Sequence, residues 1–465
     1  MATKLAAFAR SFWMHALILC AVLVALYWLN AALKPQIGAI DWRTFPLYAR
    51  VQPVASAGIV APIAVFAGWL LTLGWFWSRG GRAVPTHVAL AFVLALNVST
   101  AMVRGGAPAV PRPFTRIEPG AKAEYFADVD RVQPSWTAFL RDYPKLAPTL
   151  SLHSSAHPPG PIIYLWLVAR CFGHGIVAAA VSAIIGTALS LYPFALLART
   201  ILGRTATAYA IALYAVTPSL VLFGATCMDG VFVFFPLLAT YFFHRSWKER
   251  PLVFSILTGL ALSAAMFFTF MTVCVGFVFT LEALLAVRYP ALFRRVSLNL
   301  VWAGLTFVVA HCVLRLATGY DILRAFAAAQ KLTASYRTEM YADLWHYLDV
   351  SAANLSAFLL GIGLITTALT WRPLREAYSA WRDRKPTDLL FGGFALGVAL
   401  LAFSTIFVGE TERVWMFLVP LALLPAARHL ELHQSANPGS PARWMVLTLA
   451  FAQTLATESL LDTLW

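Results

Sequence analysis

Apolar runs recur along the whole of this 465-residue chain, roughly at 12–33, 57–77, 84–103, 176–198, 205–222, 229–244, 252–269, 271–287, 298–316, 351–370, 388–408, 414–430 and 444–461. A helix crosses the ~30 Å hydrocarbon layer of a bilayer with about twenty such residues. Residues are 60% hydrophobic and only 12% charged, more apolar material than one soluble core of this length buries. Because backbone polar groups inside a bilayer must be satisfied within the span, the expected fold class is an all-α polytopic membrane protein with about 13 transmembrane helices.

The net charge of +14 comes from 35 Lys and Arg against 21 Asp and Glu. These basic residues sit mostly between apolar runs and form no recognition module, so nucleic acid is not an expected partner. With the N-terminus inside, the Lys and Arg of the short loops gather on the cytoplasmic side, as the positive-inside rule requires. Carboxylates then fall mainly on the outer side, and acidic chemistry faces outward. The first run is too long for a signal-peptide core and reads as a retained signal anchor. The five cysteines lie in or near apolar runs without CxxC spacing, which excludes a zinc or redox framework.

Between Arg104 and Gly175 the chain becomes polar for about seventy residues. This loop holds EYFADVDRV (Glu124 to Val132) and closes on HPPGP (His157 to Pro161). Asp128 and Asp130, flanked by Tyr125 and Phe126, are candidate general bases toward a hydroxyl, since a carboxylate beside aromatics is poised to take a proton. Their bland alternative is a solvated acidic turn. His153 and His157 have i,i+4 spacing, but the prolines that follow disfavour a helical metal pair. They stand instead as candidate substrate-binding donors, with Tyr125 beside them. The run Ile162 to Phe172 is too short to cross and is expected to lie at the interface or re-enter. A second outer segment, Thr318 to Val350, has Leu323, Phe326 and Ala327 on one helical face and is expected on the membrane surface.

Two further places put charge where lipid makes it costly. Asp229 sits in TPSLVLFGATCMDG (Thr217 to Gly230) between two runs, as a functional carboxylate or a helix N-cap. Glu410, Glu412 and Arg413 fill the short outer turn GETER. An arginine at a membrane boundary is suited to gripping a lipid phosphate in a bidentate manner, or it closes a local salt bridge. Arg315, near the outer end of its run, is a weaker phosphate-binding candidate. No P-loop, GxGxxG, HExxH or GxSxG pattern occurs, which removes nucleotide, zinc-protease and serine-hydrolase readings.

Taken in order, the acidic aromatic-flanked loop, the His-Pro-Pro element and the Pro218-to-Asp229 turn resemble the GT-C superfamily of membrane glycosyltransferases. The resemblance is to the branch of protein O-mannosyltransferases and aminoarabinose transferases. Leu202-Gly203-Arg204 stands where that family has its cytoplasmic turn, and GETER matches its late arginine motif more loosely. The resemblance covers roughly residues 84 to 290. It departs in three places: Asp128-Val129-Asp130 replaces adjacent acids, Gly160 replaces the usual Leu after Pro-Pro, and a single Asp follows Pro218 where metal-dependent oligosaccharyltransferases have two.

The resemblance implies a GT-C-like core at 84–316 with a catalytic outer loop at 104–175. Two additional N-terminal transmembrane helices precede it in 1–83, and an outer loop with C-terminal transmembrane helices follows in 317–465. It further implies sugar transfer, with inversion, from a polyprenyl-phosphate donor to an acceptor hydroxyl on lipid, glycan or protein. Asp128 or Asp130 would be the base, Arg413 and Arg315 would bind phosphate, and Asp229, Glu410 and Glu412 would hold the sugar. The implied site is the outer face of a bacterial plasma membrane. No metal site is expected; a divalent cation at the carboxylates is chemically allowed without a motif of its own. The rival readings are a transporter or flippase of a lipid-linked solute, which the lack of repeated halves disfavours, and an inactive assembly subunit.

Overall fold

A computed structural model describes residues 2–37, 43–44, 46–79, 83–115, 117–118, 121–122, 124–225, 227–385 and 388–463. The helices run, in order, α1 (Ala2–Ile37), α2 (Val60–Ser78), α3 (Thr86–Ala101), α4 (Trp136–Leu146), α5 (Leu152–Ala156), α6 (Gly160–Phe172) and α7 (Ile176–Leu189). They continue with α8 (Leu191–Ile201), α9 (Arg204–Tyr214), α10 (Pro218–Leu222), α11 (Phe234–Ser246), α12 (Pro251–Phe268), α13 (Val273–Leu285) and α14 (Pro290–Thr318). The last seven are α15 (Ile322–Met340), α16 (Leu344–Ile362), α17 (Leu364–Arg382), α18 (Leu389–Ala402), α19 (Thr411–Val414), α20 (Val419–Ala436) and α21 (Ala442–Leu460).

Every apolar run named above is helical, singly or as a pair of helices. Among the described residues, 6 helices are long and apolar enough to cross a membrane, or 7 if a bent pair is counted as one span. Other runs are interrupted. The run at 205–222 breaks into α9 and α10 at Pro218, whose ring cannot continue the ladder.

The centre of the bundle is built by α9 and α20. Every residue from Ala206 to Tyr214 is buried, as is every residue from Val419 to Ala427, and the two helices pack on each other. A helix apolar all round belongs in an interior. The small residues of α9 bring the backbones close, the usual way of packing helices where lipid removes the hydrophobic incentive. At the periphery, Leu298, Val301, Leu305, Val309 and Val313 of α14 and Leu17, Val22 and Trp28 of α1 are exposed and face lipid.

The run at 351–370, read from the sequence as a span, is sharply bent in the structure. α16 and α17 meet at Gly363 with a bend of 100°. Gly363 has φ +98°, a conformation that glycine adopts without steric cost. Gln453 of α21 closes the break from both sides: its Oε1 accepts from the Leu364 N–H at 2.8 Å, and its Nε2 donates to the Leu360 carbonyl at 2.9 Å. An opened backbone inside a bundle persists when a neighbour satisfies it.

The short run after HPPGP forms α6, 13 residues and so about 20 Å long, less than the ~30 Å of hydrocarbon. Gly160 begins it against the end of α12, and a Cβ there would meet the Phe267 carbonyl oxygen at 2.1 Å. This contact gives a physical reason for glycine after Pro-Pro. Gly160→Ala is expected to destabilise the protein by about 1–3 kcal/mol through overpacking, seen as a lowered thermal midpoint in detergent. An unchanged midpoint would mean that α6 and α12 separate freely.

Candidate active site

The loop segment Glu124–Val132 forms a 3₁₀ helix lying on α6 and α5. Its inward stripe is Glu124, Tyr125, Asp128, Val129 and Val132. Tyr125, Val129 and Val132 join Ile162 of α6, Phe232 and Tyr143 in a second apolar core beneath this loop. Tyr143 holds the chain ahead of HPPGP, its hydroxyl lying 2.5 Å from the Ser154 carbonyl and 2.6 Å from that of His157.

The structure separates the two loop aspartates. Asp128 is buried and accepts hydrogen bonds from the Ser151 N–H at 3.0 Å and the Ser151 hydroxyl at 2.6 Å, bracing the start of α5. The Asp130 side chain is 83% exposed and lies 3.2 Å from His174 Nε2. The carboxylate that enters the interior is Glu124, 3% exposed. Its Oε2 accepts the Met228 N–H at 2.9 Å, which ties the loop to the turn after α10.

That turn also carries Asp229, and α19 brings Arg413 to meet it. The Arg413 guanidinium donates to Asp229 and to Glu410, with the Arg413 side chain only 6% exposed. Asn354 of α16 holds the arginine turn in place: its Oδ1 accepts the Gly409 N–H at 2.9 Å and its Nδ2 donates to the Phe407 carbonyl at 2.9 Å. The Glu412 backbone carbonyl accepts the Ser219 hydroxyl at 2.5 Å, fastening the same turn to α10. The Glu412 side chain is buried at 7% exposure.

An aromatic wall closes one side. Tyr125 meets His157 edge-on at 5.7 Å and Phe232 at 6.1 Å, with His153 6.1 Å away. Burial pushes His153 down to about 3 and His157 down to about 4, with Arg413 adding to the effect in both. Both imidazoles are therefore neutral near pH 7, each with one donor and one acceptor nitrogen. His157 Nδ1 is buried and has no hydrogen-bond partner among the described residues. Burial, then the Asp229 charge, pushes the Glu124 carboxyl up to about 8, against the pull of Arg413. Glu124 is thereby held close to the pH at which a carboxyl both accepts and releases a proton.

The ligand atoms of Glu124, Cys227 and Asp229 lie within 4.8 Å of one another, close enough to share a cation. Their chemistry fits one poorly. Burial holds the Cys227 thiol well above its ordinary range, so it is not a ready thiolate, and Asp229 already has Arg413 as counter-ion.

Of the residues singled out from sequence, Tyr125, His153, His157, Asp229, Glu410 and Arg413 converge here. Arg315 stands apart: its side chain is 60% exposed and pairs with Asp321 at 3.3 Å, at the C-terminal end of α14 where a cation complements the helix dipole. Sequence reasoning missed Glu124. Glu124 adjoins Tyr125 inside the quoted motif, and its signal was membership of the stripe that Tyr125, Val129 and Val132 bury.

A buried acid–guanidinium cluster, covered by the 124–132 segment and set at the ends of apolar helices, is the candidate site of this polytopic membrane protein. The family model of Dolichyl-phosphate-mannose-protein mannosyltransferase matches residues 156–315, the segment from just before His157 through Asp229 to Arg315. No curated protein sequence matches the chain. Similar solved structures include the Archaeoglobus fulgidus oligosaccharyltransferase in complex with Zn and sulfate, with TM-score 0.49 and 12% identity over 80% of this chain and 53% of that one. AglB from the same organism, with an inhibitory peptide and a dolichol-phosphate, gives TM-score 0.49 and 12% identity over 81% and 56%. ArnT from Cupriavidus metallidurans, bound to undecaprenyl phosphate, gives TM-score 0.44 and 15% identity over 86% and 63%. The chain thus covers less than two thirds of the length of each of these structures.

Proposed function

We propose that this protein is a membrane glycosyltransferase that moves a sugar from a polyprenyl-phosphate donor to an acceptor hydroxyl, at the outer face of a bacterial plasma membrane. The observation that carries the reading is the convergence of Glu124, Asp229 and Arg413, from three distant parts of the chain, at one buried place. The family match across residues 156–315 supports the same reaction class.

Glu124 replaces Asp128 and Asp130 as the proposed base, because it is the loop carboxylate that reaches the cluster. Ionised Glu124 takes the acceptor hydroxyl proton, and the oxygen attacks the anomeric carbon. The bond from that carbon to the phosphate oxygen breaks, and the electron pair leaves with the polyprenyl phosphate. One displacement of this kind inverts the anomeric centre. Arg413, held in orientation by Asp229 and Glu410, stabilises the phosphate as its charge develops. Neutral His153 and His157 and the Tyr125–Phe232 wall orient the sugar, with the orphaned His157 Nδ1 as one contact. Asp128 is a positioning residue, acting through Ser151.

The reading is tested by incubating the purified protein with radiolabelled polyprenyl-phosphate hexoses and pentoses and isolated membranes. Covalent label on an acceptor supports it. Label that remains on the lipid with every donor removes the transferase reading and favours transport. In this assay Asp130→Asn is expected to stay within about twofold of wild type, as for an exposed residue outside the chemistry. A loss of several orders of magnitude in Asp130→Asn would return the base to that side chain.

A further inference from the structure

α20 begins six residues after Arg413 and carries its chain away from the cluster. His433 lies about 20 Å along this helix from Val419, at 1.5 Å per residue. There, between α1, α17 and α20, opens a polar cavity of about 810 Å³, at the end of the bundle where the positive-inside rule places the cytoplasm. This volume falls within the ~300–1,000 Å³ of ordinary ligand sites.

Its wall is basic. His15 comes from α1, Arg372 and Arg375 from α17, Lys385 from just beyond, and His429 and His433 from α20. The imidazoles of α20 are fixed: His429 Nδ1 lies 2.9 Å from the Leu369 carbonyl and His433 Nε2 2.9 Å from the Ser440 hydroxyl. The acids in the wall are already engaged. Glu376 pairs with Arg372 at 2.7 Å, and Asp383 pairs with Arg382 at 3.1 Å and Lys385 at 3.9 Å. Arg375 has no ion pair or hydrogen bond among the described residues, and it faces the same space.

We propose that this cavity binds a phosphate monoester, with Arg375 as its principal anchor. A guanidinium fork matches two oxygens of a tetrahedral anion. The volume admits a group larger than phosphate itself. The anion therefore belongs either to a water-soluble phosphorylated compound or to the head of an anionic lipid.

The test uses the full chain in phosphatidylcholine nanodiscs, with radiolabelled inorganic phosphate in equilibrium dialysis. A parallel arm uses nanodiscs containing phosphatidic acid and measures lipid retained by the protein. Saturable phosphate binding that falls at least about tenfold in Arg375→Ala, the loss of a charge-assisted hydrogen bond, supports the proposal with a soluble source. Retention of phosphatidic acid that is lost in the same variant supports it with a lipid source. Arg375 is exposed, so the variant is expected to keep its thermal midpoint, and Arg372→Gln serves as a second variant if it does not. Binding of neither probe, or equal binding by wild type and both variants, overturns the proposal.

Discussion

Glu124→Gln is expected to lower sugar transfer by about 10²–10⁴-fold, the usual contribution of a positioned general base, while leaving the fold intact. Gln keeps the size of the side chain and an oxygen to accept the Met228 N–H. The pH profile separates loss of a base from loss of shape. A base works in its ionised form, and burial beside Asp229 pushes the Glu124 carboxyl up to about 8. Wild-type transfer should rise about tenfold per pH unit below that value and level off above it, since one unit is one decade of ionised fraction. His153 and His157, held at about 3 and 4, do not titrate in this window. The rise should vanish in Glu124→Gln. A variant that transfers at the wild-type rate, or one that keeps the same rise with pH, sinks the assignment of Glu124.

Arg413→Gln should cost both stability and activity. Removing the guanidinium strands the nearly buried Asp229 and takes the counter-ion from the partly exposed Glu410, and breaking a buried pair costs about 3–5 kcal/mol. The double variant Asp229→Asn/Arg413→Gln neutralises one stranded acid and should recover part of that loss in thermal unfolding. It should not recover transfer, because nothing then faces the departing phosphate. Arg413→Lys keeps the charge and loses the fork, so an intermediate rate is expected. If the double variant regains transfer together with stability, Arg413 is a structural counter-ion and has no part in the chemistry.

Much of the bundle was legible because a bilayer asks a simple question of each segment, and apolar length answers it. Asp229, Glu410 and Arg413 were legible for the complementary reason: charge beside an apolar run needs a cause. Their pairing was not, since Arg413 and Asp229 lie 184 residues apart and nothing local selects a partner at that distance. Asp128 and Asp130 form a conspicuous pair in the sequence, and that pair gives no sign that Glu124 is the carboxylate of this segment that reaches the cluster. In the folded 3₁₀ segment neighbours diverge, so Asp128 turns to Ser151, Asp130 turns to water and Glu124 enters the interior. The corner at Gly363 was hidden because glycine in an apolar run is ordinary. It breaks this one only with Gln453 at hand, 89 residues beyond Leu364.

That corner also fixes an order of events. Chains emerge from their N-terminal end and their segments settle in turn, so α16 and α17 enter the membrane while α21 is still unmade. Until then the Leu364 amide and the Leu360 carbonyl lack the side chain that answers them. The elbow is therefore completed after synthesis has passed it, once α21 brings Gln453 to the break.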